Sequence, residues 1–230
     1  LDAPSVRLLG RNVSGGGHLR LGNQPDGLDA RLQLTVPSLT PLSAAVGSPL
    51  RGRATLQGEA QGPPGDPRVA LAARLDDGAV GDVTVATATA DLRVADAVSR
   101  PAGRLTLDGR TSEGPVSAST DFVVENNRWL RIEHLVARAL GVALEGAIRA
   151  DLVGPLATGT LRASSQPPRS EMRLGQTALQ GPLHIDVRLT PEDGRQTIAV
   201  TLGGGALSLR QGTEEKLRVA SLTGDATVRN

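Results

Sequence analysis

With 230 residues and 39 % hydrophobic content, the chain is long enough for one or two domains with a sizeable core and too apolar for wholesale disorder. Its 25 basic and 24 acidic residues are dispersed and leave a formal charge of +1, so no basic patch marks a nucleic-acid surface. Absence of cysteine excludes a disulfide framework and any Cys-based metal site, and the 28 Gly and 15 Pro, being aperiodic, fit many turns and exclude collagen.

In chain order, the first clear element spans residues 28–36. Leu28, Ala30, Leu32, Leu34 and Val36 alternate with Asp29, Arg31, Gln33 and Thr35. Period-two alternation marks a strand with one apolar and one wet face. Pro25-Asp26-Gly27 supplies the preceding turn. A single short helix is expected at residues 39–46, capped by Ser38 and stopped by Gly47. Asp77-Gly78 reads as a hairpin turn between residues 69–75 and 80–85. Apolar parity then slips from odd (Val83, Val85) to even (Ala88, Ala90, Leu92, Val94), the signature of a β-bulge or of two strands joined by a tight bend. Asn126-Asn127 separates residues 116–125 from 128–134, and 135–140 reads as strand or loop ended by Gly141. Pro191-Glu192-Asp193-Gly194 separates 183–189 from 196–202. No long helix intervenes, so the fold class is all-β.

A weak internal repeat runs through these strands. Gly52-Arg53-Ala54-Thr55-Leu56-Gln57-Gly58 resembles Gly103-Arg104-Leu105-Thr106-Leu107-Asp108-Gly109, and Gly146 and Gly181 open similar alternations. Gly81-Asp82-Val83-Thr84-Val85 returns as Gly224-Asp225-Ala226-Thr227-Val228. Degenerate supersecondary repeats suggest one elongated array over residues 1–230 rather than a compact globule. One Phe, one Trp and no Tyr are few for a sandwich core of this size. The aliphatic face must therefore fold tightly on itself or hold something apolar and mobile.

Little in the sequence carries chemistry. His18, His134 and His184 are far apart and lack metal-ligand spacing. Asp76-Asp77 and Glu214-Glu215 are read as loop residues, and adjacent carboxylates on a strand would point to opposite faces. Gly15-Gly16-Gly17 and Gly203-Gly204-Gly205 lack the Lys-Ser/Thr of a phosphate loop and read as loops or strand bends. Asn12-Val13-Ser14 is a glycosylation acceptor only in a secreted eukaryotic protein. No serine sits in a nucleophile elbow, so no enzymatic activity, cofactor or metal is expected. Lys216 is the single lysine among the basic residues; with the Ala, Gly and Pro bias this suggests a GC-rich bacterial genome.

The repeat units carry a resemblance. Pro49-Leu50-Arg51-Gly52-Arg53-Ala54-Thr55-Leu56-Gln57-Gly58, followed by Gly62, Pro67 and Val69-Ala70-Leu71, resembles the recurring unit of the TamB family of AsmA-like bridging proteins. Leu144 to Leu152 with Gly159-Thr160-Leu161 is similar to a second unit. Leu179 to Leu183 with Leu189, Gly194-Arg195-Gln196 and Leu202 is similar to a third. The resemblance implies an elongated, folded-over β-sheet (a β-taco) with a hydrophobic groove. It also implies an inner-membrane-anchored protein crossing the periplasm of a diderm bacterium. Such proteins act in outer-membrane biogenesis, through phospholipid transfer and outer-membrane protein assembly beside a barrel partner of the TamA type. The chain starts at Leu1 and its longest apolar runs fall short of the ~18 residues that span a bilayer, so it is expected to be an internal or late segment of a longer protein.

Combined with the alternation, the groove is expected to be lined by Leu32, Leu34, Leu56, Val83, Val85, Leu105, Leu107, Ile132, Leu144, Ile148, Ile185, Val187, Val200, Leu202 and Leu209. Phospholipid acyl chains are the expected occupants. The alternatives are a chaperone-like or structural module that binds β-strands, and an extracellular adhesin or β-helical carbohydrate enzyme. The scarcity of aromatic sugar platforms argues against the last.

Overall fold

Residues 28–36 are a strand in the computed structural model, and the same alternation builds almost everything around them. The structure describes residues 2–9, 13–22, 27–43, 49–80, 83–139, 141–165, 171–174, 177–211 and 214–229. The expected features at Asn12, Pro25-Asp26, 44–47, Gly81-Asp82, Leu140 and Gly212 lie outside these residues. The fold is all-β, with open antiparallel sheet and no α-helix among the described elements. Contacts divide the chain into two units, Leu1–Gly114 and Pro115–Asn230.

The first unit is an antiparallel meander in sequence order. Its strands are β1 (Asp2–Leu9), β2 (Ser14–Leu21), β3 (Leu28–Val36), β4 (Leu50–Gly62), β5 (Arg68–Val80), β6 (Val83–Ala95) and β7 (Ala102–Thr111). Each pairs with the next. The loops that carry β4 into β5 and β6 into β7 are tied together by Asp66, whose carboxylate accepts from the Val98 and Ser99 amides at 3.0 and 3.1 Å and from the Ser99 hydroxyl.

Several expectations need correction here. Asp77-Gly78 is not a hairpin turn, and neither Asp76 nor Asp77 is a loop residue. Strand β5 runs straight through them, and Asp77, at φ 51°, is the extra residue of a bulge facing Gly52 of β4. Aspartate tolerates the left-handed conformation well enough to serve as a bulge residue. The parity slip in β6 is a bulge between Val85 and Thr87 within one strand, not a bend between two. Ser38 is not the capping residue of the turn that begins the expected helix. Among the described residues the segment opens as a 3₁₀ turn at Thr40–Leu42 and is helical at Ser43, with Leu39 in the capping position of the turn, although Ser38 Oγ accepts from the Thr40 amide at 3.4 Å; residues 44–46 of the expected helix lie outside the described residues. Gly15, Gly16 and Gly17 lie inside β2 rather than in a loop. The reason is a close approach: a Cβ on Gly15 would stand 2.3 Å from the Gln33 carbonyl oxygen of β3.

The second unit begins with β8 (Gly114–Glu125), β9 (Trp129–Ala139), β10 (Val142–Asp151) and β11 (Ala157–Ser165). It continues with β12 (Glu171–Leu174), β13 (Thr177–Gln180), β14 (Leu183–Glu192), β15 (Arg195–Gly204), β16 (Leu207–Gln211), β17 (Glu214–Val219) and β18 (Leu222–Arg229). Strands β8, β9, β10, β11, β14, β15 and β18 pair in that order. A smaller sheet has the order β12-β13-β16-β17. Both expected hairpins form. Asn126 and Asn127 (φ 52° each), followed by Arg128, close β8–β9, and Asp193 and Gly194 (φ 51° and 75°) alone close β14–β15, positive-φ pairs of the kind tight hairpin turns require. Pro191 and Glu192 belong to β14 rather than to the turn, residues 135–139 are strand, and Glu214-Glu215 open β17 instead of sitting in a loop.

Strand β9 carries its own bulge. His134, at φ 51°, is the extra residue against both β8 and β10. Apolar parity in β9 accordingly changes from Leu130 and Ile132 to Leu135 and Ala137. Bulges in β5, β6 and β9 thus do the same job: each keeps the apolar residues of a long strand on one face after a register shift.

Candidate functional site

The register defines two faces in each unit. In the first, Leu34, Leu56, Ala73, Ala90 and Leu107 form one row across five strands. The adjacent row is Leu32, Gly58, Leu71, Leu92 and Leu105. Val85 joins the same face through its pairing with Gly78, and Val83 follows two residues away. The opposite face is polar: Gln33, Gln57, Ala72, Asp91 and Thr106 make one of its rows, and Arg31 and Glu59, 3.8 Å apart, sit in the next. All seven expected lining residues of this unit therefore share one face.

The second unit repeats the arrangement. Ala137, Leu144, Ala163, Ile185 and Leu202 form a row, as do Leu161, Val187, Val200 and Ala226. Phe122, Ile132, Ile148, Gly159, Leu189 and Ile198 form a third. Seven of the eight expected residues of this unit share this face. Leu209 does not: it lies in β16 of the smaller sheet, opposite Leu217. Residues not expected as lining, notably Leu71, Leu92, Leu161, Leu189, Ile198 and Phe122, stand on the same faces. Their alternation carries the signal, and counting across the bulges recovers them.

The apolar face of the first unit is largely open to solvent, and that of the second is half-buried. Leu32, Leu105, Leu107 and Val83 are 38, 41, 37 and 37 % exposed, and the buried apolar side chains among the described residues are Ala143 and Leu207. A contiguous exposed aliphatic surface bordered by polar residues marks a place where something apolar binds. Neither face is an enclosed cavity. The described clefts open on the polar faces instead, between long side chains such as Arg93 and Arg104 in the first unit and Arg162 and Asp186 in the second.

Charge on the polar faces is organised in pairs. Arg162 Nε donates to Asp186 at 2.7 Å, and Arg74 to Asp76 at 2.9 Å. Asp76 is held below the ordinary carboxylate pKa, first by that hydrogen bond. The most sheltered pair joins Arg128 and Asp151. Arg128 Nε and Nη2 both donate to one Asp151 oxygen, at 3.1 and 2.8 Å, while the other oxygen accepts from the Val153 amide at 2.9 Å. The Arg128 bond, then the Val153 amide, holds the Asp151 carboxyl below its usual value. The guanidinium carbons of Arg149 and Arg128 stand over the Trp129 ring, 4.6 and 5.4 Å from its centre, a double cation–π contact. His18, His134 and His184 occupy separate strands, and no metal-binding group of His, Asp or Glu occurs among the described residues. His134 Nδ1 stands 3.5 Å from Asp121.

No family model matches the chain, and no curated protein or solved structure is significantly similar to it.

Proposed function

We propose that the apolar faces hold phospholipid acyl chains, and that the chain is a segment of a TamB-like, periplasm-spanning protein of outer-membrane biogenesis. One observation carries the acyl-chain reading: the rows through Leu34 and Leu32 are wholly aliphatic or glycine across five strands, yet leucines in them stay near 40 % exposed. Acyl chains suit such a surface. Each CH₂ removed from water contributes about 0.8 kcal/mol, and a lining of flexible aliphatic side chains without polar anchors lets a chain slide. Headgroups would stay in water along the polar border. The repeat motifs support the family assignment, from which the periplasmic site, inner-membrane anchoring and a TamA-type partner follow as further parts of the proposal. This reading assigns no reaction and no cofactor.

A second reading rests on β18. It pairs with β15 on one side, and its other edge bears no strand among the described residues. An open edge accepts a polypeptide strand by β-augmentation. Native mass spectrometry and organic extraction of the purified, folded chain separate the two. Co-purified phospholipid is expected. Recovery of trapped polypeptide with no lipid supports the second reading and overturns the first.

A further inference from the structure

The polar face of the first unit holds an arrangement that ordinary sheet design avoids. Arg93 of β6 and Arg104 of β7 are direct cross-strand partners. Arg68 of β5 stands diagonally beside Arg93, one row towards the strand ends, where Gln61 pairs with it. Like charges directly opposite on a sheet destabilise it. Among the described residues the side chains of Arg68 and Arg93 have no hydrogen bond or ion pair, whereas Arg104 has a partner of its own. Of the carboxylates nearby, Glu59 sits in the Arg93 row and lines the same cleft, with Arg31 of β3 3.8 Å away on its other side, and Asp91 lies one row further on the same face. The three guanidinium groups border a cleft of about 570 Å³ whose floor includes Ala70 and Ala102, so small side chains leave the space between the arginines open.

We infer that this cleft binds a phosphate group. A planar guanidinium matches a phosphate in a bidentate fork, and several such forks converging on one tetrahedral anion turn a repulsive cluster into an attractive one. The cleft exceeds the size of the anion itself, and the arginine stems and alanines give it apolar walls, so a phosphate ester fits as well as free phosphate. The inference stands independently of the acyl-chain reading, because the cleft lies on the opposite face of the sheet.

The test titrates inorganic phosphate and a soluble short-chain phosphatidylglycerol into the full chain, with binding read by calorimetry. Saturable phosphate binding is expected, weakened about tenfold by Arg93→Gln through loss of one charge-assisted contact. It should be unchanged in Arg110→Gln, elsewhere on the same face. Tighter binding of the lipid than of phosphate assigns the site to a headgroup, and equal binding assigns it to the free anion. Removing one repelling charge should also raise the melting temperature of the phosphate-free Arg93→Gln protein. As a second variant, Ala70→Glu, which puts a carboxylate in the cleft, should abolish binding with the fold intact. No phosphate binding, binding indifferent to both variants, or a destabilised phosphate-free Arg93→Gln protein overturns the inference.

Discussion

Leu71 of β5 leans over Gly58 of β4. A Cβ built on Gly58 would stand 3.1 Å from Leu71 Cδ2 and 3.8 Å from Leu32 Cβ, so the glycine leaves a notch between two leucines of the apolar face. The obstructing atom is the free end of a side chain, which can rotate away, and Gly is the poorest strand former at such a site. Gly58 is buried beneath Leu71, so Gly58→Leu is expected to fold with Leu71 displaced and with stability lowered by about 1–3 kcal/mol. It should fill the notch and reduce retained phospholipid relative to the parent chain. Equal lipid recovery from both proteins would show that acyl chains do not run through this row.

Leu34 and Gln33 offer a sharper contrast, because they are neighbours on opposite faces. Leu34 is half-buried between Leu56 and Gly15, while Gln33 is exposed. On an uncovered apolar face an arginine can lay its stem along the surface and lift its head to water, so Leu34→Arg should keep its β-type circular dichroism. Acyl retention should fall by about tenfold or more, since a charge there displaces several CH₂ contacts of roughly 0.8 kcal/mol each. Val187→Arg should act likewise in the second unit and Gln33→Arg should do neither. Unfolding of both apolar-face variants would mean that these faces close into an ordinary core.

Much of this was legible in the sequence, and the failures have a common cause. Alternation places Leu32, Leu34, Ile185 and Val187 on apolar faces and Arg31, Gln33, Asp186 and Arg188 on polar ones without error. Asn126-Asn127 and Asp193-Gly194 are hairpins because few other pairs tolerate two positive φ angles. Asp77-Gly78 has the same chemistry but a different role. A residue that accepts positive φ serves a bulge as well as a turn, and only pairing with a third strand tells them apart. Leu209 alternates like its neighbours, yet the chain enters a second sheet at β16, and alternation contains no information about which sheet a strand joins. The Arg93–Arg104 juxtaposition was equally invisible, since it depends on a cross-strand register.

Two aspartates tie loops and strand ends together, and both should control acid stability. The Ser99 hydroxyl, then the Val98 and Ser99 amides, lowers the Asp66 pKa, and Arg128 does most to lower that of Asp151, whose side chain is 3 % exposed. A carboxylate with a depressed folded-state pKa stabilises the fold above its ordinary value near 4 and loses that contribution as pH falls through the lower, folded value. Melting temperature should thus fall on acidification below about pH 4. Asp66→Asn and Asp151→Asn should each lower stability at neutral pH and flatten the acid limb. An acid limb of unchanged slope in the double variant would remove both groups from the account.

The bulge in β5 makes the last prediction. Gly52, at φ 114°, faces the extra residue, and a Cβ there would stand 2.7 Å from the Gly78 Cα and 3.0 Å from the Asp76 carbonyl oxygen. Neither atom belongs to a flexible side chain, so the backbone itself would have to move. Gly52→Ala is accordingly expected to be among the most damaging small substitutions in the first unit. Asp77 tests the other side of the bulge. At φ 51° a β-branched residue clashes with its own backbone, so Asp77→Val should cost about 1–2 kcal/mol. Asp77→Gly relieves the left-handed conformation and should be close to neutral, the lost strain being offset by the greater entropy of the unfolded chain. Deleting Asp77 differs in kind from both. It removes the parity reset, so the residues that follow would turn to the wrong faces and Gly78 would no longer lie beside Val85. Urea denaturation should rank the deletion and Gly52→Ala lowest, Asp77→Val intermediate and Asp77→Gly near the parent. A deletion variant as stable as the parent would show that β5 reaches its register without the bulge.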